Sequence, residues 1–205
     1  MIKVGVTGEM GSGKSYISKL FERKGVPVYN CDKGSKHLVM NDVNLILAIK
    51  EEFGEDIYVG ESVFKNLSKL VFIEGDKTRL NKLMSIISPF IEADMQRFYE
   101  EHKDEKFCLV ESAILYENKM DENLDKVIYV ACPEEIRIRR AIERDGITER
   151  DYHNRMEKQI SSIDKIKRSE HIIYNGDYGD AEQCVNEVYD TILYLIERKA
   201  TLTKS

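Results

Sequence analysis

The stretch Gly8-Glu9-Met10-Gly11-Ser12-Gly13-Lys14-Ser15 satisfies the spacing G-x-x-x-x-G-K-[ST] of a phosphate-binding loop. Its context supports the reading. Ile2, Val4 and Val6 precede it as a short apolar run suited to a buried strand. Tyr16 to Lys24 follow it with Ile17, Leu20 and Phe21 at helical spacing. Strand, glycine turn and helix is the order the chemistry requires. Glycines let the main chain curl so that successive N–H groups face phosphate oxygens. The helix start adds roughly half a positive charge. Gly11, Ser12, Gly13, Lys14, Ser15 and Tyr16 are therefore the expected triphosphate contacts. Lys14 reaches the β- and γ-phosphates and the Ser15 hydroxyl is the expected Mg²⁺ ligand.

Working outward, strands and helices alternate. Pro27-Val28-Tyr29-Asn30, Phe107 to Val110 (ending on Glu111-Ser112), Val127 to Ala131 and His171 to Tyr174 read as further strands. Pro133 opens a helix to about Arg144, Thr148-x-x-Asp151 caps the next, and a last helix runs from about Asp180 with Val185, Val188, Ile192 and Leu195 as its buried stripe. Alternation of this kind predicts a parallel sheet covered by helices on both faces. From Asp32 to about His102 the signal is helical, with Leu38, Leu45, Ile46, Ile49 and Phe53 in one segment. A second segment spans Lys77 to Glu101, where Pro89 is expected to kink or split the helix. Glu55 to Glu61 reads as a loop or tight hairpin. This excursion is too long for a plain crossover, so a helical subdomain is expected between the second and third strands.

Ligands in such folds sit at the carboxyl ends of the strands, where Gly8, Asp32, Glu111 and Asn175 fall. Asp32 could accept the proton of an acceptor hydroxyl; it also stands where a helix cap would. Arg137, Arg140 and Arg144 share one helix face. On that face they could close over a triphosphate, or form a solvated or salt-bridged surface. Lys158, Lys165, Lys167 and Arg168 extend the basic stretch. Glu111 could hold Mg²⁺ through water or accept hydrogen bonds at the sheet rim, and Glu117 is ambiguous. The four histidines show no metal-ligand spacing. Asn118-Lys119-Met120-Asp121 matches a guanine-recognition signature, but it does not follow directly on a strand end, and no D-x-x-G switch follows the second strand.

The formal net charge of −6 argues against a general nucleic-acid or membrane-surface binder. No apolar run reaches spanning length, and the first residues do not form a signal peptide. Four widely spaced cysteines without C-x-x-C read as reduced, buried thiols. A cytoplasmic enzyme acting on small molecules, without nucleic acid or membrane partners, is the expectation.

The order and spacing of these segments resemble the dephospho-CoA kinase family over nearly the whole length. Val6 to Ser15 is similar to that family's T-G-G-I-G-S-G-K-S, and Val28 to Asp32 ends on the aspartate of its V-I-D-A-D. Phe53-Gly54 and Val71-Phe72 fit F-G and V-F. Ala113 to Glu117 looks like P-L-L-F-E, Arg140 to Asp145 like R-x-x-x-R-D, and Asn175-Gly176 like the D-N-x-G segment near adenine. Gln159 and Lys165 fall where the lid carries Q and K. Glu9, Asn30, Ser88 and Ala113 depart from the pattern: Glu9 replaces a glycine and is expected to turn its side chain to solvent. The resemblance implies a parallel-sheet P-loop kinase core (about 1–31, 103–139 and 169–205). It adds an inserted helical CoA-binding subdomain (about 32–102) and a helical lid (about 140–168). It implies ATP-dependent phosphorylation of the 3′-hydroxyl of dephospho-CoA, with Mg²⁺. Asp32, Lys14 and Arg140 would be catalytic, and Arg144 and Asn175 would join the loop in binding ATP. Another small-molecule kinase, or a nucleotide-binding regulator, is the alternative.

Overall fold

The computed structural model describes residues 1–59, 62–71, 78–177 and 180–202. The expectations placed on Phe72, Lys77 and Glu61 lie outside the described residues. The chain divides into two compact units, residues 1–30 with 102–205, and residues 31–101.

The first unit is a five-stranded parallel sheet: β1 (Ile2–Thr7), β2 (Val28–Asn30), β3 (Phe107–Glu111), β4 (Lys126–Ala131) and β5 (His171–Tyr174). The spatial order is β2-β3-β1-β4-β5. The chain leaves β1 toward one edge for β2, then crosses to the opposite side for β4. The carboxyl end of central β1 is thus the crevice where the winding reverses, the usual ligand position of such sheets. Register aligns the rim: Val6 lies opposite Glu111, Thr7 opposite Tyr129, and Ala131 opposite Tyr174. Gly8, Ser112, Cys132 and Asn175 therefore all leave the sheet along one edge.

The strands are rich in β-branched and aromatic residues, and β3 is buried along its whole length, as a strand covered on both faces should be. On one face Val4, Val6, Leu109, Ile128, Val130 and Ile173 pack against α1 (Lys14–Glu22) and α9 (Ala181–Leu202). On α9 the buried positions are Ala181, Val185 and Ile192, with Val188, Tyr189, Leu193 and Ile196 partly buried against the same cluster. Leu195 is not on that stripe; it is 38% exposed, and Leu193 and Ile196 pack against the cluster instead. A smaller cluster of Leu115, Tyr116 and Val127 lies apart from the main core, packed with Met120, Leu124 and Ile160.

The second unit is helical: α2 (Cys31–Asn41), α3 (Val43–Phe53), a 3₁₀ turn at Glu55–Tyr58, α4 (Val63–Val71) and α5 (Thr78–Glu101). Its core gathers Leu38, Leu45, Ile49, Leu83 and Ile87. Three local expectations change. The run from Asp32 breaks at Asp42, whose carboxylate accepts the Leu45 N–H at 2.9 Å and starts a new helix. The segment from Glu55 is a 3₁₀ turn and not a hairpin. Pro89 does not split α5, which continues through it to Glu101.

Back in the first unit, α6 (Glu134–Asp145), α7 (Glu149–Met156) and α8 (Ser162–Arg168) connect β4 to β5. Pro133 is the cap of α6 rather than its first turn. Thr148 and Asp151 form a reciprocal capping box at α7, and hydrogen bonds from the Thr148 hydroxyl first and its backbone N–H second hold the Asp151 carboxyl below its ordinary pKa.

Candidate active site

The loop between β1 and α1 owes its shape to Gly11 and Gly13, at φ +83° and +89°. At both, a side chain is excluded by space as well as by backbone conformation. A Cβ on Gly11 would lie 2.2 Å from the Arg137 carbonyl, and one on Gly13 would lie 2.0 Å from the Asn175 amide nitrogen. Gly13 is also the cap of α1. A glycine offers no capping oxygen to the first-turn N–H groups, which suits a helix start intended for an anion.

Lys14 folds back over the loop, its ammonium donating to the carbonyls of Gly8 at 2.9 Å and Glu9 at 3.1 Å. Ser15 donates its hydroxyl to Glu111 Oε1 at 2.5 Å. Glu111, at the end of β3, is 6% exposed. The bond turns the Ser15 proton toward Glu111 and leaves the hydroxyl lone pairs for a cation. This oxygen pair fits Mg²⁺, a hard ion that takes one or two protein oxygens plus substrate phosphates. Among the described residues no cluster of three histidine, cysteine, aspartate or glutamate side chains could hold a metal by itself.

Asn175, just past β5, is buried and donates its side-chain amide to the Ser12 carbonyl at 2.8 Å. Arg140 donates to the Asn175 carbonyl at 3.1 Å and to Cys132 Sγ at 3.5 Å. The first unit therefore brings together Gly11, Ser12, Gly13, Lys14, Ser15, Arg140 and Asn175. Tyr16 projects from α1 at 44% exposure. Arg144, one turn beyond Arg140, makes a two-point pair with its neighbour Asp145 at 2.8 Å and remains exposed. Asp32 is exposed in the first turn of α2, two residues after β2.

The sequence profile of the dephospho-CoA kinase family matches residues 2–180. The chain belongs to the dephospho-CoA kinase family. It is 31% identical over 202 residues to the dephospho-CoA kinase of Bacteroides fragilis, covering 96% of this chain and 94% of that one. The dephospho-CoA kinase of Chlorobaculum tepidum is 30% identical over 204 residues, with 95% and 96% covered. Among solved structures, TT1252 from Thermus thermophilus superposes with a TM-score of 0.78 at 27% identity, covering 94% of this chain and 96% of that one. Dephospho-CoA kinase from Campylobacter jejuni gives 0.61 at 26% identity, covering 93% and 96%.

Several side chains of this dephospho-CoA kinase family member depart from their expected surroundings. Glu9 does not face solvent. It is 1% exposed beneath the loop, where Oε2 accepts the Tyr129 hydroxyl at 2.6 Å and lies 3.6 Å from Arg137. Burial and the adjacent carboxylate both push the Tyr129 phenol well above its ordinary pKa. Lys165 is not part of an open basic surface. It is wholly buried, donating to Gln159 Oε1 at 2.8 Å and the Ala113 carbonyl at 3.1 Å, with Glu117 Oε1 at 3.3 Å. Glu117 in turn accepts the Ile160 N–H at 2.9 Å, so it also holds the turn between α7 and α8. Arg168 pairs with Asp121 and lies over the Tyr116 ring. This occupies the acid of the N-K-x-D match in a surface ion pair. Of the four thiols, Cys31 and Cys108 are buried, but Cys132 and Cys184 are only half so. Tyr129 and Tyr152, which close around the loop, gave no local signal in the sequence beyond their place in their runs; Arg137, expected to share an open or salt-bridged face with Arg140 and Arg144, is instead buried against Glu9.

Among the described residues, no helix is long and apolar enough to cross a membrane.

Proposed function

We propose that this chain transfers the γ-phosphoryl group of ATP to the 3′-hydroxyl of dephospho-CoA, the last step of coenzyme A synthesis. Family membership supports this acceptor. The single observation that carries the phosphoryl chemistry is the loop at the end of β1, with Lys14 folded over its carbonyls and Ser15 set against Glu111.

Lys14 swings from the loop carbonyls to the β- and γ-phosphates, exchanging two neutral acceptors for charged ones. Arg140, held beside the loop through Asn175, neutralises charge that spreads over the γ-phosphoryl oxygens. Mg²⁺ would be held by Ser15 with Glu111 behind it; when bound it supplies charge neutralisation at the β- and γ-phosphates. Asp32 accepts the proton of the attacking hydroxyl, a contribution of roughly 10²–10⁴ in rate. The helical segment from Asp32 to His102 binds the acceptor, and residues 140–168 act as a lid that excludes water, with Arg144 joining the phosphate contacts when it leaves Asp145. In-line alignment of the two substrates contributes roughly 7–11 kcal/mol to lowering the barrier. The reaction is that of a cytoplasmic enzyme acting on small molecules.

An acceptor panel tests the reading. With ATP and Mg²⁺, dephospho-CoA supports ADP release and adenosine and shikimate do not; equal release with every acceptor contradicts it.

A further inference from the structure

A carboxylate at the second position of a phosphate loop is an electrostatic liability, because the loop exists to attract an anion. Glu9 is nonetheless buried there to 1% exposure. Tyr129 donates to Oε2 at 2.6 Å but adds no charge, and Oε1 has no hydrogen-bond partner among the described residues. The cation facing the carboxylate is Arg137, whose side chain is 10% exposed and whose Nη1 lies 3.6 Å from Oε2; its buried Nε is likewise without a partner among the described residues. The same residue meets the loop through its main chain, since its carbonyl occupies the space a side chain on Gly11 would need. Tyr152 of α7 closes the other side, its hydroxyl 3.5 Å from the Met10 carbonyl.

We propose that Arg137 is a positioning residue for ATP: it touches no phosphate, and its task is to cancel the charge of Glu9 beneath the loop. The two side chains form one electrostatic unit of net zero charge, so that the anion site is set by Lys14, Arg140 and the loop amides. The inference rests on the proposed use of ATP but not on the identity of the acceptor. Its signature is an asymmetry of sign. A pair that merely stabilises the fold loses stability when either partner is removed, with no opposite effects on nucleotide affinity. A charge-cancelling pair gives opposite effects.

The test is ATP affinity, measured by titration without acceptor and alongside thermal melting of each variant. Arg137→Gln leaves a bare carboxylate and is expected to weaken ATP binding about tenfold or more. Glu9→Gln keeps the Tyr129 hydrogen bond, frees the arginine charge, and is expected to tighten ATP binding. The double variant Glu9→Gln/Arg137→Gln is expected to return to within about threefold of the wild type. Arg137→Lys, which keeps the charge, is expected to bind ATP nearly as the wild type does. If Arg137→Gln does not fold, Glu9→Gln and Arg137→Lys decide the matter. Weaker binding in Glu9→Gln, or a double variant no better than Arg137→Gln, overturns the proposal. A wild-type chain that binds ATP but fails to phosphorylate dephospho-CoA contradicts the proposed reaction and leaves this charge assignment standing.

Discussion

The side-chain amide of Asn175 reaches 2.8 Å to the main-chain carbonyl of Ser12, tying the exit of β5 to the phosphate loop. The contact joins residues far apart in sequence and leaves no room at Gly13, where an added Cβ would meet the amide at 2.0 Å. Gly13→Ala is therefore expected to weaken ATP affinity at least tenfold, through both the overlap and the left-handed backbone at φ +89°. Asn175→Ala removes the obstruction and the hydrogen bond together and should weaken binding less. Nucleotide titration of both variants checks the order. An Ala at position 13 that binds ATP like the wild type contradicts the packing argument.

Asp32→Asn is expected to lower turnover at least a hundredfold while leaving ATP affinity within about twofold. Steady-state kinetics with direct nucleotide binding separates the two quantities. Full turnover in the variant would reduce Asp32 to an acidic residue in the first turn of α2.

The ion pair of Lys165 and Glu117 is buried with lysine at 0% exposure, so removing one partner strands a charge. Lys165→Met is expected to cost about 3–5 kcal/mol of stability, and Lys165→Met/Glu117→Leu to recover much of it. Urea unfolding of the three proteins measures this. Equal losses in the single and double variants would mean the pair itself is stabilising.

Much of this arrangement was legible beforehand, and the exceptions have physical causes. β1, β2, β3 and β5 followed from apolar runs ending at glycine, acid or amide, and β4 from a run closed by Cys132-Pro133. The loop followed from its own spacing. Glu9 did not, because its partner Tyr129 lies 120 residues away, and no local pattern tells a glutamate that turns inward from one that faces water. Lys165 reads as one of a basic stretch because lysine is almost never fully buried without a partner, and that partner, Glu117, belongs to a different segment. The break at Asp42 was visible as a capping residue before an apolar run, but the continuing periodicity masked it. Of the kink or split expected at Pro89, the split does not occur: α5 is one continuous helix from Thr78 to Glu101.

Cys108, wholly buried in β3, has its thiol pushed up from 9.0 to about 11, chiefly by loss of solvation. The raised value means the folded thiol keeps its proton where the unfolded one loses it. Its contribution to stability is full below pH 9 and falls by about 1.4 kcal/mol per pH unit between 9 and 11. Cys108→Ala should flatten the loss of stability over that window relative to the wild type. In native protein at pH 8, alkylation should leave Cys108 unmodified while Cys132 and Cys184 react. Rapid native labelling of Cys108 contradicts its placement.

The central claim is that the loop delivers a phosphoryl group to one acceptor rather than to water. The direct measurement is ADP released against coenzyme A formed in the same reaction with ATP, Mg²⁺ and dephospho-CoA. A ratio close to one ADP per coenzyme A, with release nearly abolished when dephospho-CoA is omitted, is the predicted result. ADP release that is indifferent to dephospho-CoA, or that yields no coenzyme A, would contradict it.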